Sequence, residues 1–513
     1  MTARPHAFPL PVLLLSDPSI LKKTVRGAGW TVAWRIATRM MGTVNTLILA
    51  RLLLPADFGL VALATGFAQT LLALSSLGTA EAVIRAKSPS RALYDTAFTL
   101  NVLRGALTSI AIVLCAWPVA AFFADERLAP VLVALAVCYF VSSCENIGTI
   151  EYFRDFAFDK EFKLKLLPRL AGVAATIAAG LIWRNHWALI AGIATSQMLG
   201  TAMSYAMHPY RPRFGLSAWS QLAHFSLWSW AIAVATMVRD RVDGFVVGRV
   251  LGMTQVGVYA LGADIATMAT YELAAPVGRA SFAGFAAESR TGAETSASYL
   301  RILSSVTLVV LPVGAGVSLV AGPMVALLFG AKWQAAADVV RVLGVAGIAS
   351  ALGTITGSLL TVHGVLRPTF FILLLSMVVR AAGAVVLVHF LGLTGAALAQ
   401  ALAYLVENLG FLAVAFRRFG IRPADYLALT WRAALAAAVM AAVLTGTGLG
   451  TDTVAPARSL ALAIPAGVAI YGVVLVGAWL ASGRPRGAEA DLLELARRAA
   501  WVAGLWRRRS GDG

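Results

Sequence analysis

The chain has 513 residues, 59% of them hydrophobic and only 13% charged, with a mean hydropathy of +0.79. A water-soluble domain carries roughly 25% charged residues, so this composition leaves too little polar surface for a soluble fold. The net charge of +17 lies between apolar blocks and in the tails, which argues against nucleic acid as a partner and for membrane lipids. In chain order, the blocks predict spans near 30–52, 58–80, 97–120, 128–149, 166–184, 187–206, 224–248, 256–279, 301–322, 336–361, 367–390, 394–416, 429–449 and 458–481. Each is close to the ~20 residues that cross a ~30 Å hydrocarbon layer at ~1.5 Å per residue. No run of alternating ten-residue segments suggests a β-barrel. The predicted fold class is all-α: a polytopic membrane protein of about fourteen transmembrane helices.

Loop charges orient it. With the N-terminus in the cytosol, cytosolic connections hold Arg85, Lys87 and Arg91, then Arg154, Lys160, Lys163, Lys165 and Arg169, then Arg211 and Arg213, and finally Arg417, Arg418 and Arg422. Outside connections hold only Arg51, Arg127, Arg184, Arg249, Lys332 and Arg458. The positive-inside rule then puts both termini in the cytosol. The apolar stretch Pro9 to Leu15 is broken by proline and followed, not preceded, by Lys22 and Lys23, unlike a signal peptide. Glu489 to Arg509 reads as a basic amphipathic helix on the cytosolic surface. Cys115, Cys138 and Cys144 fall inside predicted spans with no metal-site spacing, which reads as packing.

A weak repeat divides the chain. Ala50-Arg51-Leu52-Leu53 with Asp57-Phe58-Gly59 matches Gly248-Arg249-Val250-Leu251 with Gln255-Val256-Gly257 at an offset of 198, and Gly192, Ala194 and Gln197 match Gly395, Ala397 and Gln400 at 203. The expected organisation is a cytosolic segment 1–29, six-helix lobes 30–206 and 224–416 joined by a linker 207–223, two further helices in 417–481, and a tail 482–513. Transporters are often built from such repeats.

A charge at mid-bilayer costs at least ~2.5–3.5 kcal/mol, yet helix seven holds Arg239, Asp240, Arg241 and Asp243. Arg239, Asp240 and Asp243 share roughly a 100° arc; Arg241 lies near Gly244, Gly248 and Gly252, a ridge suited to close packing. Helix eight places Asp264, Glu272 and Arg279 on one face. Arg35 and Arg39 share a face of helix one, and Arg104, Arg380 and Glu407 are further intramembrane charges. Two readings stand: the charges pair with one another, as Arg239 and Asp243 could within one helix, or the arginines bind an anionic ligand while the carboxylates carry coupling protons or ions.

Leu49-Ala50-Arg51-Leu52-Leu53-Leu54-Pro55-Ala56-Asp57-Phe58-Gly59 resembles the A-R-x-L-x-P-x-D-[FY]-G hallmark of bacterial polysaccharide-export (Wzx-type) flippases, members of the multidrug/oligosaccharidyl-lipid/polysaccharide exporter superfamily. Asp243 to Arg249 with Gly257-Val258-Tyr259, Leu327 to Trp333, and Arg154 to Phe158 are similar to three further segments of that family, in register. The resemblance implies two helical lobes around a central cavity, lined by helices one, seven and eight. The implied activity moves undecaprenyl-diphosphate-linked oligosaccharides from the cytosolic to the periplasmic leaflet of the bacterial inner membrane by alternating access, for exopolysaccharide, capsule or lipopolysaccharide synthesis. On this reading Arg35, Arg39, Arg104, Arg239, Arg279 and Arg380 form the diphosphate-binding set, and Asp240, Asp243, Asp264, Glu272 and Glu407 the ion- or proton-coupling set. Expected partners are the lipid-linked substrate and polymerase and copolymerase proteins. No cofactor is expected and no enzymatic activity, since no Gly-rich phosphate loop, HExxH or nucleophile elbow occurs. The alternatives are a cation- or drug-coupled antiporter of the same superfamily and, behind it, a polysaccharide polymerase or ligase.

Overall fold

Long apolar blocks punctuated by prolines and polar caps fold as helices. The computed structural model describes residues 37–75, 83, 90–154, 157–219, 227–291, 295–451, 453–485 and 487–490, and among them there is no strand. In order the longer helices are α1 (37–52), α2 (Pro55–Leu74), α3 (Arg91–Phe123), α4 (Leu128–Ser143), α5 (Phe158–Trp183), α6 (Trp187–Met207), α7 (Leu227–Leu251), α8 (Met253–Thr291), α9 (Thr295–Leu319) and α10 (Ala336–Val362), with short helices at Ile150–Arg154 and Ala321–Phe329. Leu366–Phe419 follows, broken at Gly392 (φ 57°, ψ −134°) into α11 and α12, a backbone region closed to most side chains. Then come α13 (Pro423–Gly446) and α14 (Pro456–Ala481).

Among the described residues, eight helices are long and apolar enough to cross a membrane, and Leu366–Phe419 is one of them. At ~1.5 Å per residue its 54 residues would reach ~80 Å, so the break at Gly392 makes it two spans. The other helices miss that threshold for visible reasons. α1 is described only over 37–52; α4 has 16 residues; α6 is diluted by Gly, Ser and Thr; α7 and α8 carry the internal charges. Prolines at the start of α2, α13 and α14 occupy positions where a missing N–H costs nothing. Ser90 caps α3 by accepting from Leu93 N.

Two compact units result, Met1–Trp230 and Ala231–Gly513. In the first, α4 packs against α2, α3 and α6, and α5 lies along α6. The α5–α6 approach is set by Gly172 and Gly192: a Cβ on Gly192 would overlap Thr176 Oγ1 and the Gly172 carbonyl. In the second, α10 packs against α8, α9 and the α11–α12 pair, around Tyr299, Leu303, Ile355, Leu359 and Phe411. There too a glycine closes the helix pair: a Cβ on Gly395 would overlap the Leu387 carbonyl. α13 and α14 join this unit through α9, where Tyr471 Oη donates to the Leu308 carbonyl (2.7 Å).

Three sequence expectations change here. Gly244 and Gly252 form no packing ridge, since a Cβ at either would meet no atom within 4 Å, and Gly252 is instead the turn into α8. Glu489 is not at a lipid surface: it is buried, and Arg432 Nε of α13 donates to it at 2.7 Å. Cys144 lies one residue beyond α4, and all three cysteines are free thiols. The amphipathic tail from residue 491 onward, with Arg35 and the N-terminal segment, lies outside the described residues.

Candidate functional site: a buried ion-pair network

The arc of charge on α7 faces α11 and α12. Arg380, on α11, holds Asp243 with two nitrogens, Nε at 2.7 Å and Nη2; both side chains are almost fully buried, at 3% and 1% exposure. Both nitrogens converge on one oxygen, Asp243 Oδ2, and two charge-assisted bonds to it offset part of the desolvation of both ions. Arg380 Nη1 also reaches Asp240 Oδ1 at 3.4 Å. Arg239 donates through Nε to Asp240 (3.0 Å) and through Nη1 to Glu407 of α12. Two guanidinia thus face three carboxylates, and the cluster carries one excess negative charge when all are ionised. Arg239 and Asp243 do not pair with each other, although their spacing allows it.

A polar chain continues from Asp243. Tyr259 Oη of α8 lies 2.8 Å from Asp243 Oδ2 and 2.6 Å from the Gln400 amide, and Gln400 lies 2.8 Å from Tyr404 Oη. A phenol has one hydrogen, so Tyr259 serves one acceptor only. The amide orientation that satisfies every group has Tyr404 donating to Gln400, Gln400 to Tyr259, and Tyr259 to Asp243. The Arg380 guanidinium lies 5.8 Å over the Tyr404 ring, a cation–π contact. One atom is left over: Asp243 Oδ1 is buried with no hydrogen-bond partner. Asp240, at 44% side-chain exposure, and partly buried Glu407 are the open edge of the network.

Of the residues predicted from sequence, the network unites Arg239, Asp240, Asp243, Arg380 and Glu407. Arg39 lies on α1, Arg104 on α3, and Asp264 and Glu272 on α8. The Arg279 side chain lies outside the described residues. Tyr259, Gln400 and Tyr404 were missed as site residues. Tyr259 closes the D-x-x-[IV]-G-R…G-x-Y segment and Gln400 belongs to the internal repeat, so the signal existed without a role attached. The two halves differ here. The 198-residue offset carries Asp243 onto Asn45, whose Oδ1 is also buried without a partner, and no arginine lies at the N-terminal equivalent of Arg239.

The hallmark motif has a different job. Asp57 accepts from Leu54 N at the start of α2 (3.2 Å) and from His186 N at the start of α6 (3.2 Å), with His186 Nδ1 3.4 Å away. It therefore pins the α1–α2 corner to the α5–α6 turn. Asp57→Ala removes a helix-start bond and strands a buried N–H; a loss of about 2–3 kcal/mol is expected, read as a lower midpoint of thermal unfolding in detergent. In the same way Leu327 to Trp333 is a corner, turning at Gly330 and anchored by fully buried Trp333.

The sequence profile described as "Polysaccharide biosynthesis protein" matches residues 48–338, more than half of the 513 residues. The chain belongs to this family. Among its relatives, the lipopolysaccharide biosynthesis protein WzxC of Escherichia coli (strain K12) is 25% identical over 346 residues, 67% of this chain and 70% of the relative. The succinoglycan biosynthesis transport protein ExoT of Rhizobium meliloti (strain 1021) is 24% identical over 330 residues, covering 64% and 67%. In fold, the chain is similar to the lipid II flippase MurJ in an inward closed conformation (TM-score 0.68, 11% identity, 88% of this chain and 100% of that one). It is also similar to a multidrug resistance MATE family transporter of the MOP superfamily (TM-score 0.58, 16% identity, 75% and 95%). The family protein is a multi-pass membrane protein with the all-α transporter fold, and the resemblance read from its motifs is borne out.

Proposed function

We propose that this polysaccharide biosynthesis protein flips undecaprenyl-diphosphate-linked oligosaccharide units from the cytosolic to the periplasmic leaflet of the inner membrane by alternating access, both termini being cytosolic. The observation that carries the reading is the buried network of α7, α11 and α12, in a chain whose relatives are named for polysaccharide biosynthesis and transport. Charges sunk this deep in a membrane protein mark substrate and ion pathways.

The roles divide by exposure. Arg380 is committed to Asp243 and keeps α11 on α7. Arg239 is shared with Glu407 at the open edge, where a diphosphate competes with the Glu407 carboxylate for the guanidinium fork. Protonation or cation binding at Glu407, Asp240 or the unpartnered Asp243 Oδ1 weakens the carboxylates' hold, which links coupling ion to substrate. Arg39, with Arg35 and Arg279, supplies further diphosphate contacts, and Asp264 and Glu272 are the further coupling carboxylates. A polymerase and copolymerase that consume the glycan are the expected partners.

A second reading, a cation- or drug-coupled antiporter, draws on the cluster's one excess negative charge. Proteoliposomes carrying a labelled undecaprenyl-diphosphate oligosaccharide decide between them. Transfer of the glycan to the leaflet exposed to an added glycosidase, only when the protein is present, supports the flippase. Proton-driven movement of a cationic dye without glycan transfer would replace it with the antiporter.

A further inference from the structure

Helix α3 is longer than a bilayer needs. Its 33 residues span ~50 Å against ~30 Å of hydrocarbon. Gly105 abuts Ser143, the last residue of α4, and from Gly105 to Phe123 is ~28 Å. Arg104 therefore stands at the edge of the hydrocarbon layer, and the preceding turns of α3 run beyond it. Those turns are covered by residues 208–219, a strap without helix over most of its length. Arg213 N and Tyr210 Oη donate to Asp95 Oδ1 (2.8 and 2.7 Å), Gly215 N to Thr99 Oγ1 (2.9 Å) and Ala218 N to Thr96 Oγ1 (3.2 Å). Three strap amides are thereby fixed to α3.

The outward side of this assembly is apolar and basic. Leu103, Leu107, Ile110, Leu114 and Trp117 of α3 recur every three or four residues and are each at least half exposed, the pattern of a lipid-facing stripe. Phe214, Leu216 and Trp219 of the strap are more than half exposed, with Arg211 and Arg213 beside them. Where stripe and strap meet there is a groove of about 490 Å³, walled by Leu100, Leu103, Leu107, Leu216 and Trp219. Among the described residues that line it, Arg104 is the one with a charge, and Arg104 Nε is buried with no hydrogen-bond partner. Arg104 also lines a separate polar pocket, with Asn101, Glu145, Glu161 and Lys165. Lys165 is taken up with Glu161 (3.6 Å), and burial pushes the Glu145 carboxyl up, opposed by Lys165.

We propose that this groove is a site for an anionic phospholipid of the surrounding leaflet, its phosphate on Arg104 and the first carbons of an acyl chain along Leu103 and Leu107, which takes Arg104 out of the diphosphate-binding set expected from the sequence. Depth, charge and shape agree: a guanidinium at the interface needs an oxygen acceptor, the walls are apolar, and the stripe leading away from it faces lipid. Arg211 and Arg213 add attraction for an anionic surface, and Trp219 is the interfacial aromatic expected at that level. The strap is then a lipid-binding element of the N-terminal unit as well as part of the connection between the two units.

Bromolipid quenching in nanodiscs tests this with the full chain. The Trp219 signal is the difference between the wild-type protein and Trp219→Phe. Brominated phosphatidylglycerol should quench it at about tenfold lower mole fraction than brominated phosphatidylcholine; Arg104→Gln should erase the preference and Arg104→Lys keep most of it. Equal quenching by the two lipids overturns the site, and the wild-type comparison decides this even if Arg104→Gln fails to fold. Displacement of the brominated lipid by undecaprenyl diphosphate at lower mole fraction than by phosphatidylglycerol also overturns it, giving the groove to a polyprenyl carrier. None of these readings depends on transport.

Discussion

Replacing Arg380 by Met should lower stability by about 3–5 kcal/mol, because it leaves Asp243 ionised, buried and without a counter-charge. Asp243 cannot find a substitute: Arg239 is held by Asp240 and Glu407, and Tyr259 offers a single hydrogen. The loss should come mostly from the orphaned carboxylate and not from the missing guanidinium. Adding Asp243→Asn to Arg380→Met should therefore recover more than half of it, since a neutral amide still accepts from Tyr259 and has no charge to strand. Unfolding midpoints of the single and double variants in one detergent give the comparison. A double variant as unstable as Arg380→Met, or an Arg380→Met protein of wild-type stability, would contradict the pairing.

Glu407→Gln should separate binding from turnover. On the proposed reading the diphosphate and Glu407 compete for Arg239, so removing the Glu407 charge should tighten undecaprenyl-diphosphate binding by about tenfold. Export should fall at least as steeply, because the substrate is no longer driven off when the ion pair re-forms. Arg239 keeps Asp240 as a partner, so the variant should accumulate in the membrane at normal levels. Binding to purified protein and glycan export in complemented cells measure the two halves. Weaker binding together with weaker export would assign Glu407 a structural place only. Arg239→Glu should abolish export outright, since it would gather four carboxylates.

The fold was largely legible because its signals are local. Hydrophobic length marked the helices, and intramembrane charge picked out α7 and Glu407 before any neighbour was known. Helical period says which side chains share a face, not what that face meets, so the partners stayed hidden. Arg380 is 137 residues from Asp243, and Arg239 is 168 from Glu407. The same limit misread Gly244 and Gly252, whose spacing suits a packing ridge although a Cβ at either would meet open space. The motifs drew the eye without saying why. Asp57 and Trp333 hold corners, whereas Asp243 and Tyr259 touch across one signature segment. The strap on α3 left no periodic trace, because its bonds run from backbone amides to Asp95, Thr96 and Thr99.

The break at Gly392 bears on how the protein is made. With one residue between α11 and α12, no connector can wait in water while one of them enters the bilayer alone, and an open peptide turn in hydrocarbon would leave unsatisfied amides. The two must be delivered as a hairpin, so Arg380 arrives with the ring of Tyr404 already beside it. Its acidic partners on α7 are synthesised more than a hundred residues earlier and reside in the membrane first. The order of synthesis thus supplies the counter-charge before the charge that needs it.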